Sequence, residues 1–174
     1  MEPVSETPTE ASDYAAISVV FGGLLAGLAH SSRGRDGIPR EELVPLAAAT
    51  FALSKLVVHE KVESWLRVPF VEEHGDGRRP RGRRLRYAVG ELLGCTRCVG
   101  AWSALGLVAL RTHSPAAGRT VTTVLAVSAG NDAMQSAFTW LCTRANAAQD
   151  AATPLSAGTP QAASRRRSEA PSRA

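Results

Sequence analysis

The sequence is short of several residue types, and each shortage excludes a class of protein. Its 174 residues include 3 cysteines, too few for a disulfide-stapled scaffold. The first 13 residues contain no lysine or arginine and no early apolar run, so they are not typical of a secretory signal. With 44% apolar residues and a mean hydropathy of −0.07, the average matches a slightly polar soluble domain and excludes collagen-like and wholly disordered chains.

That average conceals an uneven distribution of apolar residues. Four stretches rich in alanine and leucine favour helix over strand, and they span residues 14–30, 43–58, 88–110 and 121–142. A membrane-spanning helix needs about 20 apolar residues. A soluble surface helix carries a charged face, whereas here almost all charge lies between and beyond the stretches. We therefore expect an all-α fold, a polytopic membrane helical bundle of three or four spans, rather than a soluble four-helix bundle.

The two ends of the chain differ in composition from this region. Residues 1–13 are acidic, and residues 143–174 combine Ala, Ser, Pro and Gln with a run of three arginines. Such segments lack the apolar residues that a packed core requires. We predict a disordered acidic N-terminal tail, a transmembrane helical domain over 14–142, and a disordered basic C-terminal tail.

The placement of basic residues predicts the orientation. The connector 59–86 holds eight and the C-terminal tail five, and because positive segments stay inside, both are expected to be cytoplasmic. Four spans, with both termini inside, put 13 basic residues inside and 5 outside. Three spans, with 43–58 on the inner face and the N-terminus outside, give 17 and 2. Both arrangements stay open; four is favoured because Lys55, near a span's inner end, can extend its ammonium to the interface.

The connector ends in a dense basic cluster, Arg78–Arg86. Basic patches bind phosphate groups, but aromatic side chains that would stack on bases are not interleaved here. The cluster also adjoins a predicted span, which favours anionic lipid headgroups of the bilayer as partners and no nucleic acid. A homo-oligomer or another protein partner stays open.

The chemistry of the chain is concentrated in Cys95-Thr96-Arg97-Cys98, which has the C-x-x-C spacing. Two thiols so spaced can form a redox disulfide or supply half of a zinc site. If one helix ran through this segment, Glu91, Cys95, Cys98 and Trp102 would lie within about 60° on one face. No cofactor is expected; if a metal binds, the candidate ligands are Cys95, Cys98 and Glu91, and zinc is the candidate metal. The alternative is that the cysteines pack against a neighbouring helix while Glu91 pairs with an arginine.

A membrane bundle with C-x-x-C at a helix end also suggests a quinone-linked thiol oxidoreductase. The predicted topology opposes a disulfide-generating role on the outside, because the cysteines follow the cytoplasmic connector 59–86. That compartment keeps thiols reduced.

Two further features concern the membrane itself. Lys55 and Asp132 have opposite charge and lie in separate apolar stretches, so they are candidates for an ion pair within the membrane. The segment Lys61–Arg67 predicts a short interfacial helix, with Trp65 as its membrane anchor and Pro69 ending it.

Two blocks of sequence, 51–70 and 90–102, resemble a bacterial family of small membrane proteins catalogued as domain of unknown function thirteen-sixty. The likeness covers about residues 43–142, and the residues that carry it are Lys55, Glu60, Arg67, Pro69, Phe70, Glu91, Cys95, Cys98 and Trp102. The resemblance implies an integral, multi-pass protein of the bacterial inner membrane, with no established reaction.

This chain departs from the family pattern at three positions. Lys55 stands where Arg is usual, Glu60 where Asp is usual, and Thr96 where Pro is common inside the C-x-x-C. The missing Pro weakens a thioredoxin-like interpretation and leaves metal binding or packing open. We expect a structural or interaction protein of the membrane rather than an enzyme, with a cytoplasmic-face thiol-redox or metal site at Cys95 and Cys98 as the alternative.

Overall fold

The computed structural model of the chain describes residues 7–74 and 77–152. Within that range the fold is mostly helical, as the all-α prediction requires. It also contains one β-hairpin, which that prediction did not include. The elements are α1 (Ala11–Ser31), α2 (Arg40–His59), a 3-10 turn (Lys61–Glu63), α3 (Ser64–Arg67), β1 (Val71–His74), β2 (Gly77–Pro80), α4 (Leu85–Gly94), α5 (Thr96–His113) and α6 (Pro115–Ala152).

Two helices, α1 and α2, are long and apolar enough to cross a membrane, with mean hydropathies of 1.5 and 1.3. A third span is counted if α4 and α5, which are bent by 89°, form one broken crossing. The helix α6 does not join this group. Its 38 residues are long enough, but Asn131, Asp132 and Gln135 interrupt the apolar stretch predicted as a span over 121–142.

The described helices run past the predicted boundaries at both ends of the chain. The helix α1 begins at Ala11 rather than at 14, and α6 continues through 143–152 to Ala152. The predictions of disorder for 1–6 and 153–174 lie outside the described residues. The short helix expected over Lys61–Arg67 is confirmed as a 3-10 turn followed by α3.

The prediction of one continuous helix over 88–110 is wrong, because the helix is interrupted at Cys95. That residue is extended, with φ −105° and ψ 106°, and separates α4 from α5. Its backbone N–H donates a hydrogen bond to the carbonyl of Leu92 at 3.1 Å and so caps the end of α4. Its side chain is the N-cap of α5. The helical face that Glu91 was expected to share with the cysteines therefore does not exist.

The chain divides into two units, and the first, residues 1–132, holds the packed core. Its centre is the contact of α2 with α5, where Leu46, Ala49 and Leu107 are buried together. Small side chains allow these helices to approach closely, and Ser54 and Ser103 are buried on the same two helices.

The large apolar side chains lie mostly on the outside. Among the described residues no large side chain is fully buried, whereas Val19 is 73% and Leu24 53% exposed on α1. The buried polar residues include Asp13, Ser54 and Ser103. A soluble monomer rarely exposes large contiguous apolar patches, so this distribution is typical of helices that face lipid.

In the second unit, the described part is the end of α6, residues 133–152. Its apolar side chains Met134, Phe138 and Trp140 are exposed. The guanidinium of Arg144 lies 4.8 Å from the ring centroid of Trp140, a cation–π distance.

The hairpin of β1 and β2 was not expected in the connector 59–86. The strands are antiparallel, with Val71 opposite Pro80 and Glu73 opposite Arg78. Its charged side chains pair across the hairpin: Arg81 Nε lies 2.7 Å from Glu72, and Arg78 Nε lies 3.5 Å from Glu73.

Gly90 lets α4 lie against this hairpin. A Cβ at Gly90 would come within 2.5 Å of the Phe70 carbonyl oxygen and 3.0 Å of the Pro80 side chain. Only glycine fits so close an approach. The hairpin and α4 therefore form one packed unit immediately before the cysteines.

Candidate functional site

The two cysteines meet at the N-terminus of α5. Cys95 is the N-cap residue, and its Sγ accepts a hydrogen bond from the backbone N–H of Cys98 at 3.3 Å. The thiol of Cys98 also donates to Cys95 Sγ, with the two sulfur atoms 2.7 Å apart. Both side chains are free thiols and half-buried.

This arrangement arises because the chain turns before α5 begins. The extended backbone of Cys95 directs its sulfur toward the first-turn N–H groups, where Ser, Thr or Asp serves as cap in other helices. Sulfur at a helix N-terminus is stabilised as the thiolate, which is the nucleophilic form. The geometry therefore suits thiol–disulfide chemistry and needs only a small movement to join the two sulfurs.

Glu91 has a partner that the sequence did not indicate. The Tyr14 hydroxyl of α1 donates a short hydrogen bond to Glu91 Oε2 on α4, and it lies 3.2 Å from the hydroxyl of Thr9. The alternative interpretation gave Glu91 an arginine partner, whereas the structure gives it a tyrosine. This contact fastens α1 beside the C-x-x-C segment.

Two adjoining pockets open beside the thiols. The smaller, of about 180 Å³, is lined by Tyr14, Ser18, Glu91 and Cys98 together with apolar residues. The larger, of about 350 Å³, is lined by apolar side chains alone, among them Trp102. Ile17 and Leu92 line both, so the polar pocket that contains Cys98 adjoins an open apolar groove.

The residues that would hold zinc do not converge. Over 7–74 and 77–152, no three side chains of His, Cys, Asp or Glu are grouped so that they could bind a metal ion. Cys95 and Cys98 supply two sulfurs, while Glu91 is bonded to Tyr14. Zinc binding by Cys95, Cys98 and Glu91 stays an untested prediction.

Arg67, one of the family-motif residues, closes the C-terminus of α2. It is 3% exposed, and its guanidinium donates to the carbonyls of Val57 and Glu60, the latter at 2.8 Å. The last carbonyls of a helix have no partner within it. A buried cation there satisfies two of them and interacts favourably with the helix dipole.

The neighbouring motif residues shape the start of the hairpin. The carbonyl of Pro69 accepts two hydrogen bonds from Arg86, the shorter at 2.6 Å. The carbonyl of Phe70 accepts the backbone N–H of Arg81 at 2.7 Å. The string from Arg67 to Phe70 therefore joins α2, the hairpin and α4.

The expected contact between Lys55 and Asp132 is confirmed. Lys55 Nζ donates to Asp132 Oδ2 at 2.9 Å and links α2 to α6, and the two side chains are 38% and 35% exposed. A second pair, which the sequence did not indicate, joins α2 to α5: Arg111 donates to both carboxylate oxygens of Glu42, at 2.5 and 2.7 Å. Charged residues at the ends of two apolar stretches were the available signal.

The basic cluster Arg78–Arg86 is largely engaged within the chain. Arg78 donates to the carbonyl of Val58 at the end of α2, and Arg84 Nε lies 3.4 Å from the carboxylate of Asp13 on α1. The arginines therefore bind α1, α2 and the hairpin to one another. Anionic lipid as a partner of this cluster stays a prediction.

Comparison with known proteins gives one match. The model of the family described as "Protein of unknown function (DUF1360)" matches residues 45–138, which is more than half of the chain and includes the thiol pair and Arg67. No curated protein and no solved structure matches.

Proposed function

Because the chain belongs to the DUF1360 family, whose description assigns no function, we propose a role from its own geometry: it is an integral membrane protein that carries a thiol–disulfide redox pair. The distribution of apolar and polar side chains supports the membrane part of the proposal. The large side chains of α1 are exposed while polar residues such as Asp13 and Ser54 are buried, which suits a lipid surround.

The membrane is the bacterial inner membrane in this proposal, with 59–86 and the C-terminus cytoplasmic. The excess of basic residues in these two segments supports that side. With α5 crossing the bilayer and α4 turned 89° from it, α4 lies near the membrane surface and Cys95 at the interface.

Extraction and labelling test the membrane assignment. Alkaline carbonate should leave the protein in the membrane pellet, and release into the supernatant would refute integration. A Cys95→Ser, Cys98→Ser variant keeps only Cys142 as a thiol. A membrane-impermeant maleimide should label it in inverted vesicles and not in intact spheroplasts; the reverse pattern would refute the proposed side.

The thiol pair is favoured over a purely structural role by one observation: Cys95 Sγ caps α5 and lies 2.7 Å from Cys98 Sγ. Packing alone requires neither a capping sulfur nor direct contact of the two thiols. An N-terminal position of the first cysteine is the arrangement that activates a C-x-x-C dithiol.

Mild oxidation tests the thiol pair. In a Cys142→Ser background, diamide should convert Cys95 and Cys98 to a disulfide, which blocks alkylation of both by a mass-tagged maleimide and is reversed by dithiothreitol. Cys98→Ser in the same background is the control and should alkylate once regardless of diamide. If both thiols remain alkylatable after diamide, the redox function fails and a structural or interaction role in the membrane remains.

A further inference from the structure

We propose that the apolar pocket beside the thiols binds the ring of a lipid-soluble quinone, and that this quinone accepts two electrons from Cys95 and Cys98. The inference rests on the proposed thiol–disulfide function and adds the substrate. It differs from a disulfide-generating role outside the cell in the side of the membrane, because the thiol pair is proposed to exchange with soluble thiols of the cytoplasm.

The first argument is the character of the larger pocket. Its volume of about 350 Å³ falls in the range of ~300–1,000 Å³ for small-molecule sites. Its lining is entirely apolar and comes from α1, α4 and α5, and it includes one aromatic residue, Trp102, one helical turn beyond Cys98. A flat, lipid-soluble ring matches this lining, whereas a charged or peptide disulfide substrate would lose its hydration without gaining a polar partner.

The second argument is the polar end. The smaller pocket shares Ile17 and Leu92 with the larger one and adds the Tyr14 hydroxyl, the Glu91 carboxyl group and the Cys98 thiol. An acyl chain would fill the apolar groove but has no use for these groups. A quinone presents a ring carbonyl, to which proton-carrying side chains are complementary.

The third argument is the position of this site on exposed apolar helices. The larger pocket is lined partly by Val20, which is 54% exposed on α1. A quinone's isoprenoid tail can therefore stay among lipid chains while its ring lies between the helices. A water-soluble oxidant gains nothing from an entrance of this kind.

The reaction balances with these groups alone. Cys95 and Cys98 each lose a hydrogen from sulfur and form one S–S bond, so the pair is oxidised by two electrons. The quinone gains those two electrons and two protons, and both of its carbonyls become hydroxyls. Glu91 lines the same pocket as Cys98 and accepts the hydrogen bond of Tyr14; in this proposal it carries a proton from the thiol pair to the nearer quinone oxygen. Soluble thiols of the cytoplasm then return the disulfide to the dithiol by exchange.

The test uses the full chain, purified in detergent, reduced and freed of reductant without oxygen. A ubiquinone analogue with a short tail and a fully substituted ring is added, since that ring resists alkylation by thiols. We expect one hydroquinone, detected by its absorbance, to form for every two thiols lost per chain. Mass spectrometry should find the loss of two hydrogens from the peptide that contains Cys95 and Cys98. Cys142→Ser should react as the wild type does.

A matched pair of variants localises the reaction. Ile17→Trp fills the space where the two pockets join and should slow quinone reduction by about tenfold or more. Val19→Trp places the same side chain on the exposed face of α1, outside both pockets, and should leave the rate unchanged. Equal rates in the two variants would refute the pocket.

The outcomes separate this inference from the function on which it rests. Diamide forms the disulfide without the pocket, so it should act equally on wild type and Ile17→Trp. If diamide succeeds and the quinone is not reduced, the quinone inference fails and the thiol pair stands. If diamide fails as well, the thiol–disulfide function fails first. A covalent quinone adduct in place of the disulfide would also overturn the inference.

Discussion

Replacement of Arg67 should destabilise the protein more than replacement of any exposed arginine in the connector. The guanidinium is 3% exposed and donates to the carbonyls of Val57 and Glu60. Hydrogen bonds that involve a charged group contribute about 1.5–3 kcal/mol each, and removal of the buried charge recovers part of that sum. We expect Arg67→Met to lower the free energy of unfolding by about 3 kcal/mol.

Two further variants isolate the cause. Arg67→Lys keeps the charge, but a single ammonium cannot span two separated carbonyls as the planar guanidinium does, so about half of the loss should remain. Arg83→Met removes an exposed arginine from the same connector and should change stability by less than about 0.5 kcal/mol.

Thermal unfolding in detergent, followed by tryptophan fluorescence, measures the effect. For a chain of this size, about 1 kcal/mol corresponds to about 2–4 °C in Tm, so Arg67→Met should unfold about 6–12 °C earlier than the wild type. Equal Tm values for Arg67→Met and Arg83→Met would refute the conclusion that a buried arginine closes α2.

Three other contacts carry predictions of the same kind. Gly90→Ala should lower stability by about 1–3 kcal/mol, because its Cβ would overlap the Phe70 carbonyl, while Gly94→Ala, with no atom within 4 Å of the new methyl, should not; chemical denaturation compares them. Glu42→Gln removes the ion pair by which the start of α2 is held to Arg111 of α5. Because the start of α2 should then unfold more readily, protease cleavage between α1 and α2 should increase, and no increase over wild type would contradict the prediction. Asp132→Asn should destabilise the protein more when Lys55 is present than in a Lys55→Met variant, as thermal unfolding of the two single variants and the double variant measures; additive effects of the two changes would show that the ion pair contributes nothing.

The helices were predictable because their cause is local. Stretches rich in alanine and leucine favour helix, and those of α1 and α2 have no charged face along most of their length and are long enough to cross a bilayer. The contact of Lys55 with Asp132 was predictable for a similar reason, since an isolated charge in an apolar stretch is costly and requires a partner.

The break at Cys95 was not predictable from the same pattern, because hydropathy does not record a change of direction. The apolar residues continue on both sides of Cys95, and only a sulfur acting as a helix cap distinguishes a bend from a straight span. The Tyr14 contact to Glu91 was missed because it joins residues 77 apart in sequence.

The hairpin did leave a signal. An acidic pair, Glu72 and Glu73, is followed by the sequence Gly-Asp-Gly at 75–77 and then by Arg78 and Arg79. Glycine with aspartate between two short segments is typical of a tight turn, and opposite charges on its two sides favour cross-strand pairs. The charge of the segment was interpreted as a lipid-binding surface, although most of it pairs internally.

The sulfur of Cys95 has two roles. It accepts the backbone N–H of Cys98 at the start of α5, and it is the atom that would bond to Cys98 in a disulfide. A cap is typically worth about 1 kcal/mol of helix stability, and a sulfur turned into a disulfide faces its partner sulfur rather than the N–H of the first turn. Oxidation would therefore loosen the first turn of α5, and reduction would tighten it again. The start of α5 would then differ between the oxidised and the reduced protein at the point where α4 meets α5.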